Sequence, residues 1–167
     1  MPVDVDLTAW HEAGHAVHRV TARLPFRYVT IRPRTAGTTG LIKAWPAWRN
    51  SWKVTMSAAM GPAAEARRLV EREGLGLDEA IWYVETSEAA VDDRRCVEGW
   101  GFSWPVAAAV ASLRLDALWP AISSVAEGLT QRRTLRHAEV ADLCRDSLPG
   151  WPHGLQMSID LTGLLGS

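Results

Sequence analysis

His11-Glu12-Ala13-Gly14-His15 lies within a stretch, Ala9 to Arg23, that has few helix breakers beyond Gly14 and is followed by Pro25. Two histidines four residues apart act together only on an α-helix. There they stand about 40° apart around the axis and about 6 Å apart along it. Asp4, Asp6 and Thr8 offer capping oxygens upstream, so a first helix of about four turns is expected.

The rest of the chain follows largely the same period. Met56, Ala59, Met60 and Ala63 mark a helix from about Ser51 to Glu73, with Gly61-Pro62 expected to bend or split it and Gly74 and Gly76 ending it. Ser87 caps a helix running to about Glu98. Val106, Val110, Leu113 and Ala117 mark another, closed or kinked at Pro120, after which Ile122, Val125, Ala126 and Leu129 give a further apolar face. Thr134 is read as the cap of a last helix reaching about Asp146. Alternation appears in Phe26 to Arg32, before Gly37 and Gly40, and predicts a strand. The fold class expected is mainly α, with one small β hairpin or meander.

Composition excludes several functions. Lys and Arg number 18 against 19 Asp and Glu, so no basic footprint marks nucleic acid or an anionic membrane as a partner. Cys96 and Cys144, and an opening without a basic or strongly apolar leader, point to a reducing cytoplasm. The most apolar stretch, Val106 to Leu118, is broken by Arg114 and Asp116, so a soluble protein is expected. Trp45, Trp48 and Trp52 share a helical spacing and read as a core or interface stripe. Residues 1–148 are taken as one domain and 149–167 as a C-terminal tail without an assigned role.

The histidine pair presents two imidazoles to one ion, and Glu12 lies one residue round the helix, where its carboxylate can face an ion-bound water as a general base. His-Glu-x-x-His arises by chance in roughly one chain of this length in a few hundred. A catalytic zinc takes a third protein ligand. No Asp or Glu occurs between His15 and Glu65, which disfavours a glutamate on a nearby helix. His18 and Thr21 stand where the longer three-histidine motif needs Gly and His. His18 reads as a core or supporting histidine, and His137 and His153 as surface residues. Asp92 and Asp93 remain. Asp92 shares a face with Cys96 and Asp93 points toward Val97, which gives Asp92 a modest edge.

Taken together, these segments resemble the peptidase domain of FtsH-type proteases. Thr8 to Val17 resembles its zinc helix, and Tyr28 to Arg34 with Thr39-Gly40 its next strand and turn. Met60-Gly61-Pro62-Ala63-Ala64-Glu65 resembles its Ala-Ala-Glu helix, and Asp92 to Glu98 its aspartate-bearing segment. Ile122 to Leu135 with Glu139-Val140 resembles its closing helices. The likeness spans roughly residues 8 to 145. It implies a helical zinc-peptidase domain with Zn2+ on His11, His15 and Asp92, Glu12 as base, and Tyr28, Val29, Thr30 and Ile31 holding extended substrate by strand pairing. No Gly-x-x-x-x-Gly-Lys-Ser/Thr loop is present, so the family's ATPase is missing from this sequence. Pro62 and the stretch between Gly74 and Ser87 also depart from the family pattern.

The expectation is therefore a zinc metalloendopeptidase acting on unfolded or dedicated protein or peptide substrates, with any ATPase partner supplied by another chain. The alternatives are a noncatalytic binding module that keeps a structural zinc, and a zinc hydrolase acting on another amide. Retention of Glu12 favours the enzyme, because a structural site needs ligands but no base.

Overall fold

A computed structural model describes residues 4–32, 40–44 and 51–151. Its element order is α1 (Val5–Thr21), β1 (Phe26–Thr30), β2 (Leu41–Ala44), α2 (Trp52–Glu73), α3 (Leu77–Glu85), α4 (Glu88–Gly99), α5 (Trp104–Arg132), β3 (Thr134–Arg136) and α6 (His137–Ser147). The mainly helical expectation holds.

α1, α2 and α4 start where a side chain takes up free amides. Asp4 Oδ1 accepts from the amides of Asp6 and Leu7 at the head of α1. Ser51 and Ser87 do the same for α2 and α4. α1 and α2 pack so closely that a Cβ on Gly14 would overlap the Met60 carbonyl oxygen. Asp6–Arg68 and Asp4–Arg72 ion pairs tie the start of α1 to the last turns of α2. Ala13, Ala16, Val17, Met56, Met60, Ala111, Ile122 and Val125 form the middle of the core. A smaller apolar cluster, including Leu7, Leu69, Ala80 and Val84, lies beneath α3.

Both prolines sit within continuous helices. α2 runs through Pro62 and α5 through Pro120, so neither proline splits or ends its helix. A proline removes one ladder bond, at about 3 kcal/mol in an isolated helix. Here each helix is held from outside by the core: Met60 and Ala64 flank Pro62, and Leu118, Ala121 and Ile122 flank Pro120, all buried. α5 is long and apolar enough to cross a membrane by length and composition, contrary to the sequence expectation. Part of it, including Ala107, Val110, Ala111, Leu115, Leu118, Ile122 and Val125, is buried in the core.

The sheet also differs from a hairpin. Its order is β2-β1-β3, all antiparallel, with β3 contributed from the far end of the chain. Thr134 therefore opens a strand and does not cap α6. The head of α6 is closed by Glu139, whose Oε2 accepts from the Arg136 amide at 2.8 Å. The stretch after Gly74, left without structure in the sequence reading, forms α3. Trp45, Trp48, His153 and most of the expected tail lie outside the described residues.

Candidate metal centre

α1 brings His11, Glu12 and His15 to one buried face against α2. The His15 Nδ1 lies 2.6 Å from the Ser57 carbonyl oxygen. That oxygen only accepts, so Nδ1 carries the hydrogen and Nε2 keeps its lone pair. His11 Nδ1 lies 2.8 Å from Glu65 Oε2, which orients it in the same way. The two Nε2 atoms then face each other at 3.0 Å.

The third group is Asp93. Its Oδ2 is 3.1 Å from His11 Nε2 and 3.2 Å from His15 Nε2. Asp92, the residue preferred in the sequence reading, is exposed and pairs with Arg95 at 3.1 Å. Cys96, whose face Asp92 shares, is exposed as well, so that face of α4 points outward. The inward face of α4 consists of Ala90, Asp93 and Val97, at i, i+3 and i+7, with Ala90 and Val97 buried. That apolar pair was the signal in the sequence that selects Asp93.

Three electron-pair donors aimed at one point repel one another unless a cation lies between them. Tetrahedral zinc with ligand bonds of about 2.0–2.1 Å would set neighbouring ligand atoms about 3.3 Å apart, close to the three separations here. Asp93 Oδ2 is buried between the two imidazole Nε2 atoms. The three residues thus fit a metal ion. Glu65 and the Ser57 carbonyl hold the outer ring nitrogens, as the outer shell of such a site does.

The electrostatics agree. Burial opposes charge on His11, but the Asp93 and Glu65 carboxylates outweigh it and raise its pKa well above the usual histidine value. Asp93 raises His15 against the same effect of burial. Burial likewise opposes ionisation of Asp93, yet His15 and His11 bring its pKa down to about 2. The pocket is built for positive charge beside an ionised carboxylate.

Glu12 is buried, and burial raises its pKa against the pull of His15 and His11. Its Oε2 has no hydrogen-bond partner. Gly40, just before β2, is so close that a Cβ there would overlap the Glu12 carboxylate. Gly61 has the same relation to the His15 ring. These glycines are steric requirements of the site, and the sequence reading assigned them no such role.

Tyr28, Val29, Thr30 and Ile31 do not offer the expected free strand edge. Tyr28, Val29 and Thr30 are paired on one side with Lys43, Ile42 and Leu41, and on the other with Arg136, Leu135 and Thr134. The Ile31 amide donates to the Arg133 carbonyl. Val29 and Ile31 are core residues, and Thr30 Oγ1 bonds Arg133 O and Thr134 Oγ1. Because β3 occupies its second edge, β1 is central, and among the described residues β2 is the outer strand beside Glu12.

His18 is a core residue, as expected, with Nε2 3.2 Å from the Lys53 carbonyl. His137 is half-buried and packs edge-on against Phe26, unlike the surface residue expected. No protein-family model matches the chain, and no curated protein matches it.

Proposed function

We propose that the chain is a zinc-dependent metalloendopeptidase. The observation that carries this reading is the convergence of His11 Nε2, His15 Nε2 and Asp93 Oδ2 beside a buried Glu12 carboxylate with an unpartnered oxygen. The resemblance of the motif segments to FtsH-type peptidases supports the same reading, with Asp93 in place of Asp92.

His11, His15 and Asp93 would hold the ion, which when bound supplies an acidified water and polarises the scissile carbonyl. Glu65 and Ser57 fix the imidazoles so that their Nε2 lone pairs point inward. Glu12 takes the water's proton at its free Oε2 and delivers it to the leaving amine. Burial, which raises its pKa, makes it the stronger base toward that proton. The outer edge of β2 supplies main-chain groups to an extended peptide, which Gly40 brings close to Glu12.

Metal content by mass spectrometry, measured together with cleavage of unfolded casein, tests the proposal. The native chain should carry about one zinc and cut, and Glu12→Gln should keep zinc while cleavage falls by about 10²–10⁴-fold. Zinc without cleavage of any unfolded substrate would favour a binding module. Absence of metal would remove the site.

A further inference from the structure

A second concave feature lies on the opposite side of α2. α2 presents Ser57, Gly61 and Glu65 to the histidines of α1. On another face it presents Ala59, Ala63 and Ala66 to a cavity of ≈ 330 Å³ enclosed with α3 and α5. The alanines make a low floor, so the cavity is deep. Leu77 and Ile81 form the α3 wall, and the N-terminal half of α5 forms the other.

Both helices that wall the cavity expose large apolar side chains. Leu77 is 60% exposed, Trp82 67% and Leu113 71%. Leu77 lines the cavity itself, whereas Trp82 and Leu113 stand about 100° round their helices from the lining residues Ile81 and Ser112. An exposed leucine at the edge of an apolar cavity marks an interaction surface more than an isolated exposed residue does.

Charge distinguishes between occupants. Of the acidic residues from Glu73 to Asp93, Glu73 pairs with Arg72, Asp92 with Arg95 and Asp93 lies in the metal centre, which leaves Asp78, Glu79, Glu85 and Glu88 without a basic partner among the described residues. Asp78, Glu79 and Glu85 lie on α3, and Asp116 lies on the α5 side of the mouth. Arg67, the one basic residue lining the cavity, is already bonded to Asp116 and Glu71. A fatty acid or an anionic bilayer would bring negative charge against this rim. A basic partner would meet complementary charge. The α5 wall, from Trp104 to Asp116, is about 18 Å long, which matches roughly three turns of helix.

We propose that this groove docks a basic amphipathic helix of a protein partner, seating one or two bulky apolar side chains on the alanine floor between α3 and α5. Lysines or arginines flanking those anchors pair with Asp78, Glu79 and Glu85. Recognition of this kind places apolar anchors at i, i+3, i+4 and i+7. The surface is separate from the metal centre, so its test does not depend on peptidase activity.

The test titrates the full chain with a synthetic leucine–lysine amphipathic helix of about three turns, read by calorimetry and by two-dimensional NMR of the labelled protein. A leucine–glutamate helix of the same pattern serves as control. The expected result is saturable binding of the basic helix alone, weakened by salt, with shifted resonances confined to α3, the N-terminal half of α5 and the facing side of α2. Ser112→Trp, at an exposed position lining the mouth, should weaken binding at least about tenfold, the effect of one lost anchor. Asp78→Lys with Glu79→Lys should weaken it several-fold and flatten its salt dependence, with zinc content and circular dichroism unchanged. Equal binding of both helices, binding indifferent to these variants, or no binding overturns the proposal. So does concentration-dependent dimerisation abolished by Ser112→Trp, which would show a second copy covering the groove.

Discussion

At the scale of single residues, one helical step separates a ligand position from a solvent position. Asp92 and Asp93 are adjacent and chemically identical, yet one pairs with Arg95 at the surface and the other lies against both histidines. Asp93→Ala should therefore abolish zinc retention while Asp92→Ala leaves it intact, as mass spectrometry of the purified variants will report. Glu65→Gln removes charge from the carboxylate that orients His11, so zinc affinity measured by chelator competition should fall by about 10–100-fold. The histidine pair and the neighbouring Glu12 were legible in the sequence because their spacing is local. Glu65 was visible only as part of a motif, since its role depends on the packing of α2 against α1. The aspartate choice turned on Ala90 and Val97, whose burial marks the inward face of α4.

At the scale of elements, close helix packing limits what the chain tolerates. Gly14→Ala would drive a methyl group into the Met60 carbonyl. Backbone cannot move aside as a side chain can, so about 3 kcal/mol or more should be lost, lowering Tm by about 6–12 °C in a thermal melt. Gly61→Ala meets the His15 ring instead. It should weaken zinc binding more than it lowers Tm, and the two readouts separate the effects. Helix periodicity located α1, α2, α4 and α6, but local rules overstated the prolines. Pro62 and Pro120 are carried through by buried neighbours that no local window contains. β3 was missed for a related reason. Three residues, Thr134 to Arg136, carry too little alternation to read as a strand, and their pairing with β1 is a long-range event.

At the scale of the whole molecule, one buried group links fold stability to acidity. His18 is held down to about 3 by burial, with Arg114 and Arg19 adding to the effect. The unfolded chain takes up a proton there below about 6.5 and the folded chain does not. This contribution is thus present above pH 6.5 and is lost as pH falls toward 3, by at most about 1.4 kcal/mol per pH unit. His18→Gln keeps a donor for the Lys53 carbonyl without a titratable ring. Denaturant melts across that range should show a shallower loss of stability in acid than the native chain.

The third strand also sets an order of events during synthesis. The histidine helix is made first, but Asp93 comes far later, and β1 gains its second neighbour only when Thr134 to Arg136 have been made. The Ile31 amide likewise waits for the Arg133 carbonyl, about a hundred residues downstream. At the elongation rates of living cells, about 5–20 residues per second, α1 exists for several seconds without the groups that complete its surroundings. Under the proposed reading, the site would lack its third ligand until Asp93 has been made, and its sheet would lack its third strand until nearly the whole domain has been made.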